Sequence, residues 1–265
     1  PFGISFHADH AWTWYEPSQR YDRNGPKAGI PYDGTLTKAN GKGKWWEGYD
    51  PQDLYAQNHP MSKGSWADSM IHSQWAWGNG ACLPTQEYCT NFYDRTLDAI
   101  NRYNPDLIYF DVTVAPFYPI SDAGLKIAAH FYNHNMATHG GKLEAVMLSK
   151  ILDENQRKAI VWDVERGAPN QIMEQPWQSC SCIGGWHYTT SVYENNWYKS
   201  ASDVAKLLID IVSKNGNLLL SVPLRADGTF DEKEEKILNE FGEWMNINKE
   251  AIYNTRPWEV FGEGP

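Results

Sequence analysis

The sequence predicts an α/β fold: a (β/α)8-like barrel, truncated to about six βα units. Three observations predict it. From residue 106 onward, short apolar runs alternate with amphipathic segments, and strands that alternate with helices pair in parallel, because parallel pairing needs crossover connections. The apolar runs, "LIYF" and "LLL" among them, are too continuous for strands with one wet face, so both faces are expected to be covered. Several runs then stop on a charged residue, as at Asp111, Lys150 and Glu165. In a parallel barrel the C-terminal strand ends are where chemistry is built.

The elements follow in order. "FGISF" (2–6) reads as the first strand, and "TQEYCTNFYDRTLDAINRYNP" (85–105) as a helix stopped by Pro105. "LIYFDV" (107–112) is a strand. "SDAGLKIAAHFYNHNM" (121–136) is a helix with Ser121 as its N-cap and Leu125, Ala128, Phe131 and Tyr132 on one face. "LEAVMLS" (143–149) is a strand, "DENQRK" (153–158) a helical turn, "AIVWDV" (159–164) a strand, and "SCSCIG" (179–184) another. "SASDVAKLLIDIVSKNGN" is a helix capped by Ser202, with Gly216 at its C-terminal end. "NLLLSVP" (217–223) is the sixth strand, and "DEKEEKILNEFGEWMN" (231–246) the closing helix, with Ile237, Leu238, Phe241, Trp244 and Met245 at helical spacing.

Residues 1–265 are therefore expected to form a single, partial barrel domain, with a long Trp-rich loop insertion at about 8–84. That loop holds Trp12, Trp14, Trp45, Trp46, Trp66, Trp75 and Trp77. A loop of this length either serves function or packs its indoles on the barrel rim, and the sequence favours neither.

Composition narrows the partners. The formal net charge is −10 and no long Lys/Arg cluster occurs, which argues against nucleic acid or an anionic membrane face. No apolar run approaches the roughly 18 residues of a membrane span. Thirteen of the 265 residues are Trp and aromatics reach 14%; such planes fill cores, and they also stack on the C–H faces of sugars. Cys82, Cys89, Cys180 and Cys182 fit no zinc spacing and read as buried thiols. No HExxH or comparable cluster appears, so no metal and no cofactor is expected. The chain opens in strand-like text, without Met or a signal peptide, and reads as part of something longer.

Two carboxylates at strand ends, Asp111 and Glu165, with aromatics around them, suit glycosidic cleavage. One attacks or stabilises the anomeric carbon while the other donates a proton to the leaving oxygen. Asp163 competes with Glu165 for the acid role, and His7 and His10 flank the end of the first strand, where they are candidates to bind sugar hydroxyls. The structural alternatives are a turn cap at Asp111 and a surface pair at Glu165-Arg166.

"PDLIYFD", "WDVERG", "PWQSCSCIGGWHY", "DIVSKNGNLLLSVPLRADG" and "WMNINKEAIYNTRPWEVFG" together resemble the family 29 α-L-fucosidases, and "FGISFHADHAWTWYEPSQ" resembles their Trp-rich bacterial branch. The resemblance runs along essentially the whole chain. It implies a (β/α)8-like catalytic domain that hydrolyses terminal α-L-fucose with retention, on a fucosylated oligosaccharide or glycoconjugate. The family nucleophile falls on Asp111 and the acid/base on Glu165. The family's "PWE" reads Pro176-Trp177-Gln178 here, and Gln178 cannot donate a proton in that role, which strengthens Glu165. A pocket-wall aromatic maps onto Trp186, with Tyr188 beside it, and Trp12, Tyr109 and Trp177 are further expected substrate contacts. A sugar-binding Arg of the family falls on Lys150, which keeps the charge but not the planar fork.

The resemblance also implies absences. The family's "KHHDGF"-like segment and its first two βα units have no counterpart here, nor does a C-terminal β-sandwich. His7 and His10 are candidates to replace the lost pair. Exposed strand edges would follow, so a homo-oligomer is expected. The family's members suggest a secreted or periplasmic setting. The alternative to an enzyme is a non-catalytic fucose- or glycan-binding remnant held together by self-association.

Overall fold

The structure, a computed structural model, describes residues 1–7, 23–26, 28–29, 37–44, 46–50, 83–111 and 116–263. It divides into two compact units, Pro1–Ile151 and Leu152–Pro265.

Among the described residues of the first unit are three parallel strands, β1 (Gly3–Phe6), β2 (Leu107–Phe110) and β3 (Val146–Ser149). Strand β2 lies between the other two, and Phe6, Phe110 and Ser149 stand level across them. Between β1 and β2 runs α1 (Gln86–Tyr103). Thr85 caps it by accepting from the Tyr88 N–H at 3.1 Å, and Asn104 closes it in the left-handed conformation before Pro105. Its buried face is Tyr88, Cys89, Phe92, Thr96 and Ile100, the three-to-four spacing of a helix stripe. An aromatic cluster joins helix to sheet: Phe92 lies 6.0 Å from Phe110, which stacks on Phe6 at 5.2 Å, and Phe92 also meets Phe117 edge-on at 5.1 Å.

Helix α2 (Ala123–Thr138) starts two residues later than the expected Ser121 cap. Asp122 is the N-cap residue, yet the Ser121 hydroxyl still accepts from the Ala123 N–H at 3.2 Å. The buried stripe is Gly124, Ile127, Ala128, Phe131 and Asn135, so Leu125, expected inside, is 40% exposed. The buried Asn135 amide is used: its oxygen accepts from the Glu144 N–H at 2.8 Å.

The second unit repeats the plan with β4 (Val161–Glu165), β5 (Trp177–Cys182) and β6 (Gly216–Ser221), all parallel with β5 between its neighbours. Residues 166–176 join β4 to β5 without a helix. A short helix not anticipated from sequence, α3 (Thr190–Asn195), precedes α4 (Ala201–Ser213). The α4 cap is Ser200, not Ser202: its hydroxyl accepts from the Asp203 N–H while the Asp203 carboxylate accepts from the Ser200 N–H, both at 3.1 Å. Gly216 opens β6 instead of ending the helix, and Asn215 takes the left-handed turn. Glycine is required there for a packing reason. A Cβ would stand 2.5 Å from the Trp177 ring and 2.8 Å from Ile211.

Helix α5 (Glu232–Asn248) closes the unit. Asp231 caps it, accepting from the N–H groups of Lys233 and Glu234 at 2.9 and 2.8 Å and from the Tyr198 hydroxyl at 2.7 Å. Glu234 is buried beneath, and one of its carboxyl oxygens meets no hydrogen-bond partner. Burial, then the neighbouring Asp231, push this carboxyl up to about 7. No described helix is long and apolar enough to cross a membrane.

Candidate active site

Strand register decides which side chains meet in the first unit. Phe6, Phe110 and Ser149 are level, so the residues that follow them, His7, Asp111 and Lys150, emerge side by side where the strands end. Tyr109 lies two residues before Asp111 and shares its side of β2. The result is a carboxylate held by several donors. Lys150 Nζ lies 2.7 Å from Asp111 Oδ1, and the Tyr109 hydroxyl donates to the same oxygen at 2.6 Å. His7 Nδ1 stands 3.5 Å from Oδ2, and its Nε2 is 3.3 Å from Ser5 Oγ. Asp111 is 27% exposed and Lys150 18%. Asp111 is thus reachable from solvent and charge-paired from within the protein.

The second unit presents its own group at the ends of β4 and β5. Glu165 is the last residue of β4 and is exposed. Two residues earlier, Asp163 is buried. Gln178 Nε2 donates to its Oδ1 at 2.8 Å and the Cys180 thiol to its Oδ2 at 3.0 Å. These bonds follow from register, since Asp163 is level with Gln178 and Glu165 with Cys180. Asp163 is therefore a buried carboxylate with a hydrogen bond on each oxygen, whereas Glu165 is exposed. Arg166 follows Glu165 in the left-handed conformation, with φ 52. Its guanidinium lies 4.8 Å over the Trp186 ring. Trp186 and Tyr188 are half-buried, and Tyr188 has the Arg225 guanidinium 6.0 Å from its ring centre.

Trp177 does not belong to this surface. It starts β5, at the end of the strand away from Cys182, and is 1% exposed. Its indole N–H donates to the Lys214 carbonyl at 2.9 Å and its ring fills the space over Gly216. A sugar cannot reach it. The expectation of a substrate contact there is corrected to a core role. His10 and Trp12, with most of the Trp-rich loop, lie outside the described residues. Lys150 and Tyr109, expected as substrate contacts, are bonded to Asp111. The residue the sequence reading passed over is Arg166, noted only as a surface partner of Glu165. Its position between "E" and "G" in "VERG", where a sharp turn ends the strand, was the available signal. Among the described residues no group of three or more His, Cys, Asp or Glu side chains could hold a metal ion.

A family profile described as Alpha-L-fucosidase matches residues 37–250. The α-L-fucosidase of Dictyostelium discoideum is 34% identical over 204 residues, covering 72% of this chain and 43% of that protein. Human plasma α-L-fucosidase is 31% identical over 96 residues, 36% of this chain and 20% of its own length. Among solved structures, α-L-fucosidase isoenzyme 1 from Paenibacillus thiaminolyticus superposes with a TM-score of 0.53 at 19% identity, over 70% of this chain and 45% of that one. A further α-L-fucosidase gives 0.54 at 23% identity, over 66% and 37%. These likenesses establish the fold as a (β/α)8-like barrel, of which the described residues hold six parallel strands. The chain spans less than half the length of these relatives. With four-fifths of its length matched by that profile, the chain belongs to the α-L-fucosidase family.

Proposed function

We propose that the chain carries the reaction of a retaining α-L-fucosidase, cleaving terminal α-L-fucose from oligosaccharides or glycoconjugates through a covalent intermediate on Asp111. One observation carries this reading. Tyr109 and Lys150 both bond Asp111 Oδ1, which fixes the carboxylate and directs Oδ2 to the substrate. Oδ2 attacks C1 and forms the ester bond as the bond from C1 to the leaving oxygen breaks. Glu165 gives its proton to that oxygen. Water then attacks C1, the ester bond breaks, Glu165 takes the water's proton, and fucose departs with its configuration retained. Trp186 and Tyr188 supply aromatic surface for the sugar, and His7 a donor to its hydroxyls. The two carboxyls complete the cycle between them.

Self-association belongs to the same reading. Strand β6 pairs with β5 and carries Leu219 at 45% exposure, a surface that a second copy would cover.

The test is hydrolysis of an aryl α-L-fucoside by the 265-residue chain, fractionated by size, with the product anomer followed by NMR. Initial release of α-L-fucose is expected, with activity in an oligomeric fraction, and Asp111→Ala should remove it at unchanged circular dichroism. A folded chain that binds fucose without turnover would favour the glycan-binding remnant. Initial β-fucose would contradict retention.

A further inference from the structure

We propose that Arg166 is a positioning residue that plates one face of Trp186 and fixes the tilt of that ring for sugar stacking on its other face. This rests on the reading of Trp186 as a sugar-facing wall. Arg166 stands between the two groups which that reading uses. Its backbone N–H donates to the Cys180 carbonyl at 2.9 Å, which extends the β4–β5 ladder one step past Glu165 and ties down the strand end that bears it. Its φ of 52 is a conformation that costs any residue with a Cβ and persists only where surroundings enforce it. The turn sends the side chain across to β5. There Nη2 lies 3.4 Å from Cys182 Sγ and the guanidinium carbon 4.8 Å from the Trp186 ring centre.

The root of the Trp186 loop is held by contacts of its own. Lys199 Nζ donates to the Cys182 carbonyl at 2.7 Å, and the Cys182 thiol donates to the Gly184 carbonyl at 3.2 Å. A Cβ on Gly184 would come within 2.7 Å of Val192, so the chain there is packed tight. What these contacts do not fix is the rotation of the Trp186 side chain itself. The flat cation does that, by occupying one face of the indole. A pyranose then meets a ring of set orientation, so less ordering is left to be done at binding. Lysine would keep the charge but lose both the plane and the donor geometry toward Cys182.

The experiment follows the Trp186 indole N–H resonance, assigned by its loss in Trp186→Phe, during titration with L-fucose. Arg166→Gly suits the left-handed backbone, so the variant is expected to fold with an unchanged melting temperature. Its dissociation constant for fucose should rise about two- to fivefold, with Arg166→Lys between it and the parent chain. In turnover assays the same loss should fall on KM and leave kcat within about twofold. Unchanged fucose affinity in a folded Arg166→Gly chain would overturn the proposal. A parent chain that binds fucose without moving the Trp186 resonance would overturn the reading beneath it.

Discussion

Asp111 shows how much one carboxylate can owe to its neighbours. An aspartate ending an apolar strand would be costly if it were buried alone. Here it has an ammonium at 2.7 Å and a phenol at 2.6 Å on the same oxygen. Asp111 itself was legible in sequence, because a charge after "LIYF" stands out. Its partnership with Lys150 was not. That contact depends on β3 being in register with β2, and two strands 35 residues apart in "DLIYFD…VMLSK" announce no register. Trp177 failed for the opposite reason. Sequence gives the residue type but not which end of a strand faces substrate, and the indole went to the core. Glu165 carries a prediction at this scale. Glu165→Ala should lose far more rate on substrates with poor leaving groups than on activated aryl fucosides, since only the former need the proton. Equal losses on both would assign the acid role to another group.

Among the elements, strand and helix positions were legible within a few residues, because apolar run length and helical spacing survive small errors. The caps were harder. "SASD" offers two serines, and Ser200 wins because it places Asp203 three positions on, where the reciprocal bond closes. Gly216 looked like a helix stop and proved to be a strand glycine beneath an indole. Gly216→Ala should force Trp177 outward and cost about 1–3 kcal/mol, lowering the melting temperature by roughly 2–4 °C per kcal/mol. An unchanged melting temperature would show that the Trp177 ring has room to move. Glu234 gives α5 a pH dependence. Its folded carboxyl is raised to about 7 from an ordinary 4.5, so between those values the folded chain holds a proton the unfolded chain has lost. Stability from this group is full below 4.5, falls as pH rises toward 7, and is flat above. Glu234→Gln should flatten the change in melting temperature across that window, whatever it does to the absolute value. A slope as steep as the parent's would place the titration elsewhere.

At the scale of the molecule, alternating strands and helices were enough to name the fold class, and family motifs spread along the chain were enough to name the family. The 8–84 loop remained unread, because Gly, Pro and Trp punctuation carries no periodicity from which to place its indoles. The function proposed for the whole depends on one bond forming at one atom. A 2-deoxy-2-fluoro-α-L-fucosyl donor with a good leaving group slows release of the covalent intermediate more than its formation, so the intermediate accumulates. Intact-mass and peptide mass spectrometry of the 265-residue chain after such labelling should find one fluorofucosyl group per chain, on the peptide that contains Asp111. A label on any other carboxylate, or no label on the folded chain, would contradict Asp111 as the nucleophile.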